Sequence, residues 1–87
     1  MWFVYILRCA GDSLYIGETN DLASRLLKHH DGSASSFTAR RRPVALVHCE
    51  THATRDGALK RERQLKRWSR AKKEALIAGD LARLKTL

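Results

Sequence analysis

The segment Tyr15 to His29, YIGETNDLASRLLKH, holds a tyrosine just ahead of a glycine, then an arginine and a histidine. It reads as a strand ending near Tyr15-Ile16-Gly17, a turn through Thr19-Asn20-Asp21, and a helix. Arg25 and His29 are four residues apart, so a helix stacks them on one face, one turn from each other. A phenol, a fixed cation and an imidazole reaching one spot suit phosphate chemistry. The same spacing also serves ordinary surface side chains, with Arg25 paired to Asp21 and His29 favoured at a helix end by the dipole.

The flanking elements have to place these groups. Met1 to Arg8 (MWFVYILR) is aromatic and β-branched and apolar on both faces, which predicts a central strand. Trp2, Val4 and Ile6 point one way, and Phe3, Tyr5 and Leu7 the other. Cys9 to Ser13 reads as a turn, and Leu14 to Glu18 as the second strand of a hairpin. Opposed residues of an antiparallel pair share a face. A five-residue loop pairs Arg8 with Leu14 and puts Tyr5 and Tyr15 on one face, whereas an even loop separates them. Gly17 falls on the same face and leaves an open spot beside Tyr15, or relieves packing by the next helix.

That helix is capped by Asn20 or Asp21 and runs to about His30. Leu22, Ala23, Leu26 and Leu27 form its apolar stripe, with Leu22, Leu26 and His29 in one row. A loop, Asp31 to Ser36, leads to Phe37–Arg42, which has room for one helical turn. Arg40, Arg41 and Arg42 read equally as phosphate contacts or as a solvated basic turn. Pro43 starts a third strand, Val44 to about Glu50, with Val44, Leu46 and His48 on one face and Ala45, Val47 and Cys49 on the other.

Thr54 caps a helix from about Arg55 to Arg67 with Ala58, Leu59, Leu65 and Trp68 as its stripe. Glu62 lies in the middle of that inward row. A carboxylate there has to be paired, or bind a cation, to offset desolvation of roughly several kcal/mol; Arg25 is one candidate partner. Ser69 caps a helix to about Ala78, Gly79 ends it, and Asp80 caps a last short one. These pieces are expected to pack back on the sheet through Leu76, Ile77, Leu81 and Leu84.

Length and composition bound the rest. Eighty-seven residues, 44% of them hydrophobic, make one globular domain. No apolar run approaches the roughly 20 residues that span a bilayer, and Trp2 to Leu7 is too short and too early for a signal peptide. We therefore expect a cytoplasmic protein and no membrane partner. Cys9 and Cys49 are too far apart for a Cys-x-x-Cys pair. With His29, His30, His48 and His52 they also lack zinc-ligand spacing. The net charge of +8 is uneven: residues 1–53 carry six Lys/Arg against five acids, residues 54–87 eleven against four. Such a basic half favours a polyanion, above all nucleic acid. Lys66, Arg70, Lys72 and Lys73 are its expected contacts.

Taken together these residues resemble the GIY-YIG nuclease superfamily, and in particular its small, single-domain bacterial members. Phe3-Val4-Tyr5 stands at the first signature triplet and Tyr15-Ile16-Gly17 matches the second. Asp21-Leu22, Arg25 and His29 match the family's helix, Glu62 its metal-binding glutamate, and Leu59 to Leu76 (LKRERQLKRWSRAKKEAL) the small bacterial subgroup. The resemblance implies an α+β fold, a small three-stranded sheet flanked by helices in the order β-β-α-β-α-α, which agrees with the elements above.

It also implies hydrolysis of a DNA phosphodiester with one divalent cation, Mg2+ or Mn2+, on branched or damaged DNA as in repair. By the same resemblance Glu62 holds the metal, a hard cation that prefers carboxylate oxygen and water. Arg25 neutralises charge on the phosphate, and Tyr15 helps to deprotonate the attacking water. Tyr5 orients water or phosphate, His29 carries a proton or donates to phosphate, and Gly17 lets the backbone approach substrate. Glu18 stands where some relatives carry a lysine, and the only asparagine is Asn20, so the late asparagine of many relatives has no counterpart. Larger members attach a further DNA-binding or partner domain, which leaves room for a protein partner that supplies targeting. The basic half alone supports a second reading, a non-catalytic nucleic-acid-binding module, with RNA open alongside DNA.

Overall fold

The computed structural model describes residues 1–87. Its sheet has three strands in the order β2-β1-β3, all antiparallel: β1 (Trp2–Cys9), β2 (Leu14–Thr19) and β3 (Val44–His52). β1 is central, as its two apolar faces require. Val4, Tyr5, Ile6 and Leu7 are all fully buried, and each such aliphatic or aromatic side chain contributes about 1.5–3 kcal/mol of transfer free energy.

The hairpin takes the five-residue loop. Arg8 pairs with Leu14, and the Cys9 N–H donates to the Ser13 carbonyl at 2.8 Å. Ala10–Asp12 forms a single 3₁₀ turn between them, with Gly11 and Asp12 at φ +80° and +72°. Tyr5 therefore sits opposite Gly17, and Leu7 opposite Tyr15, so both tyrosines share a face.

Helices cover both faces. α1 (Leu22–Asp31) and the short α2 (Ser36–Ala39) cover the face of Tyr5, Leu7, Cys9 and Val44 through Leu22, Leu26 and Phe37. The Asp21 carboxylate caps α1 by accepting from the Ser24 N–H. The apolar stripe of α1 is narrower than its sequence suggests. Leu27 is 69% exposed and Ala23 is exposed too, so the inward row is Leu22, Leu26 and His29.

α3 (Arg55–Arg67) covers the opposite face, packing Ala58 and Leu65 on Val4, Ile6 and Ile16. α4 (Arg70–Ala78) adds Leu76 and Ile77 to that core and ends at Gly79, a left-handed residue at φ +70° that a side chain would strain. The Arg8 guanidinium holds both oxygens of Glu74, at 2.9 and 2.6 Å, which ties α4 to the central strand. The last helix, α5 (Leu81–Thr86), rests on α4 instead of the sheet, and Leu81 is 66% exposed. The expectation that Leu81 reaches the core fails because α4 already fills that face.

β3 departs from simple alternation. Leu7 pairs with Leu46 but Ile6 with His48, so Val47 is an extra residue in a β-bulge. Val44 and Leu46 lie on the α1 side as expected. Beyond the bulge the faces exchange, which sends His48, Glu50 and His52 to the α3 side and leaves Cys49 exposed. There Arg61 clamps both Glu50 oxygens at 2.8 and 2.9 Å, and His48 Nε2 lies 2.8 Å from Oε2. Burial would push the Glu50 carboxyl up, but Arg61 and then His48 outweigh it and hold it down at about 2.

Candidate active site

The register of the hairpin and the row on α1 bring Tyr5, Tyr15 and His29 together. The His29 ring lies edge-on to both phenols, 5.7 Å from Tyr5 and 5.1 Å from Tyr15 between centroids. Phe37 extends the cluster 6.0 Å beyond Tyr15, and the Arg41 guanidinium lies 3.8 Å over Phe37.

A chain of hydrogen bonds runs through the buried part. Tyr5 Oη and His29 Nε2 are 2.8 Å apart, His29 Nδ1 and Thr38 Oγ1 2.9 Å, and the Thr38 hydroxyl donates to the Ser35 carbonyl at 3.3 Å. A hydroxyl with its one proton directed to a carbonyl has to accept from the imidazole. His29 therefore carries its proton on Nδ1, and the Tyr5 hydroxyl donates to Nε2. The electrostatics agree. Burial, then the Tyr15 phenol, push Tyr5 up to about 12, against the pull of Arg25. Burial, then the charges of Arg25 and His30, hold His29 below its ordinary value. Both rings are neutral at neutral pH.

This arrangement changes what Tyr5 and His29 can do. Both are fully buried, and both His29 nitrogens are engaged. In this arrangement neither presents a free polar atom to water or phosphate, and each holds the other in place beside Tyr15. The spot beside Gly17 is likewise filled by the Tyr5 ring. A Cβ on Gly17 would lie 2.5 Å from Tyr5 Oη and 2.6 Å from Cζ, so the glycine seats Tyr5 instead of opening a path to substrate.

Thr38 is the residue that sequence reasoning missed. Its signal was a hydroxyl one residue after Phe37, inside the predicted helical turn. Thr38→Val keeps the shape and removes the acceptor of the buried Nδ1–H. We expect a loss of about 1–3 kcal/mol, seen as a melting temperature lower by roughly 4–24 °C. An unchanged melting temperature would show that the relay holds nothing in place.

The charged groups border this cluster. Arg25 is half-buried and makes no ion pair, to Asp21 or to any other acid; its side-chain hydrogen bond and its charge act on Tyr5, and its charge acts on His29. Glu62 also acts on Tyr5. Its side chain is only 16% exposed, as its inward row requires, but its partner is Lys66 (Nζ to Oε1, 2.6 Å), one turn on, and not Arg25. Oε2 has no partner. No group of three His, Cys, Asp or Glu side chains is placed to hold a metal ion. A single carboxylate with a free oxygen suits Mg2+, which keeps several waters and takes one or two carboxylates plus substrate phosphate.

Of the basic residues singled out in the sequence, few are free. Arg41 donates to the Phe37 carbonyl, and Arg42 to those of Ala39 and His30, while Arg40 stands exposed without a partner. Arg70 is paired with Glu74 and Asp12, and Lys72 lies 4.4 Å over the Trp68 ring. Lys66 is held by Glu62, and Lys73 alone of those four has no partner. Neither of the two concavities on the surface is lined by Tyr5, Tyr15, Arg25, His29 or Glu62. The cluster thus lines neither concavity. No helix is long and apolar enough to cross a membrane.

Comparison with known proteins agrees with this geometry. The family model described as the GIY-YIG catalytic domain matches residues 1–75. A UPF0213 protein of Bacillus pumilus is 44% identical over 75 residues, covering 86% of this chain and 76% of that protein. One from Natronomonas pharaonis is 41% identical over 78 residues, covering 90% and 92%. The solution NMR structure of a UPF0213 protein from Bacillus halodurans superposes with a TM-score of 0.59 at 37% identity, covering 90% of this chain and 84% of that one. The paired tyrosines, the helical arginine and histidine and the inward glutamate stand on the elements that the resemblance required, and the chain belongs to the GIY-YIG nuclease family, alongside the UPF0213 proteins.

Proposed function

We propose that this protein is a divalent-metal-dependent endonuclease that hydrolyses DNA phosphodiester bonds, with branched or damaged DNA as its substrate. The observation that carries the reading is a half-buried guanidinium without an ion pair, Arg25, bordering the Tyr5–Tyr15 cluster through Tyr5, with Glu62, one oxygen open, acting on the same cluster. Arg25 has no ion pair to give up when a phosphate arrives, only a side-chain hydrogen bond to the neutral Tyr5 phenol. Its fork then offsets the charge that builds on the non-bridging oxygens. Tyr15 is the phenol left to take part in deprotonating the attacking water, because the Tyr5 proton is committed to His29. Glu62 Oε2 would hold the metal, which when bound polarises the phosphate and stabilises the leaving oxygen. The Lys66 side chain in that pair is 54% exposed, so it could swing into solvent and leave both Glu62 oxygens to a metal.

A binding module without catalysis is the second reading. It is favoured by that same Glu62–Lys66 pair, which satisfies one carboxylate oxygen without metal. The test is cleavage of supercoiled and branched DNA in magnesium or manganese against EDTA, for the parent and Glu62→Ala. We expect metal-dependent cutting that falls at least about a hundredfold in the variant, since the metal supplies several kcal/mol of charge stabilisation. Cutting that ignores EDTA and Glu62 would overturn the mechanism. Salt-sensitive binding without any cutting would favour the second reading.

A further inference from the structure

The larger concavity of the surface lies on the outer side of α3, a groove of about 420 Å3 lined by Lys60, Arg63, Gln64, Arg67 and Trp68. Lys60, Arg63 and Arg67 recur at one helical stripe, and about 10 Å separates the first from the last along the axis. Lys60 has a solvent-exposed partner in Asp56 at 3.1 Å, but Arg63 and Arg67 are exposed and make no ion pair or side-chain hydrogen bond. They stand one turn apart, where like charges repel. Trp68 forms the end wall, with Arg61 5.1 Å and Lys72 4.4 Å over its ring. The groove thus concentrates unneutralised positive charge against a fixed aromatic wall, on the opposite side of the sheet from Tyr5, Tyr15 and His29.

We propose that this groove is a second phosphate-contact surface, which grips the backbone of duplex DNA independently of the tyrosine–arginine site. The proposal rests on the nucleic-acid reading above. Charge complementarity selects the partner: two free guanidiniums one turn apart fit successive backbone phosphates, and guanidinium forks match phosphate geometry. The groove lies on the outer side of α3, away from the sheet face that holds Tyr5, Tyr15 and His29, while Glu62 of the same helix turns inward toward that cluster.

The test is binding of a fluorescein-labelled duplex in EDTA, followed by anisotropy across a salt series, for the parent, Arg63→Gln/Arg67→Gln and Arg63→Lys/Arg67→Lys. Loss of two phosphate contacts lowers the slope of log K against log salt by about 1.8, so from roughly 50 to 200 mM salt the parent loses about tenfold more affinity than the Gln variant. The Lys variant keeps the slope, and the same drop appears when the Gln pair is placed on an Arg25→Ala background. An unchanged slope in the Gln variant overturns the proposal, as does a drop that vanishes without Arg25. So does a parent that binds phosphatidylserine vesicles and not DNA. None of these readouts depends on cutting, so a failed nuclease assay leaves them independent.

Discussion

Arg25→Lys should lose nearly as much cleavage as Arg25→Ala, on the order of 10²–10³-fold, with little change in stability. Lysine keeps the charge but presents one compact ammonium on a flexible stem, whereas the guanidinium offers a planar fork to two phosphate oxygens at once. Stability should be spared because Arg25 makes no ion pair, and Tyr5, its side-chain hydrogen-bond partner, keeps its bond to His29 when Arg25 is removed. The change should stay within about 1 kcal/mol. Single-turnover cutting in magnesium, alongside thermal unfolding of the same samples, separates the two effects. A lysine variant that cuts like the parent would show that charge alone suffices. An alanine variant that does so would remove Arg25 from the chemistry.

Gly17→Ala should be among the most damaging single methyl groups that can be added to the chain. The new Cβ would lie 2.5–2.6 Å from the end of the Tyr5 ring, and that ring is rigid and fully enclosed. It cannot turn aside without leaving His29. Overpacking of this kind costs about 1–3 kcal/mol, and a buried imidazole left without its partner costs about 1–3 more. A loss of about 3 kcal/mol lowers the melting temperature of so small a domain by roughly 10–25 °C. Thermal unfolding by circular dichroism decides it: a melting temperature within a few degrees of the parent would mean that Tyr5 is not held where the geometry places it.

The order of the elements was legible because each carries its own local signals. Asp21, Thr54, Ser69 and Asp80 all cap the helices they precede. α3 runs over the predicted range, Arg55–Arg67. The common face of the two tyrosines followed from the parity of one loop. What the sequence could not convey is which polar groups bury one another. His29 reads as a helix-end residue, and only the approach of Thr38 across the 32–35 loop shows both its nitrogens engaged. Glu62 is inward as its row predicts, but a lysine one turn on reaches it and Arg25 does not. Nor could the sequence convey which cations are already engaged. Arg70 and Lys72 are engaged by Glu74, Asp12 and Trp68, while Arg63 and Arg67 remain available. Pairing of this kind depends on tertiary neighbours, which charge counts along a chain do not contain.

The bulge at Val47 has a consequence for how this chain should be aligned with its relatives. On both sides of Val47 the pairing of β3 with β1 runs in step, Leu46 with Leu7 and His48 with Ile6. A relative lacking this one residue could keep every other partner in the ladder, with Glu50 still facing Arg61, and forfeit only the packing of Val47. A single-residue gap at this point is therefore a straightened strand, and closing it by sliding the downstream residues would assign each of them to the wrong side of the sheet.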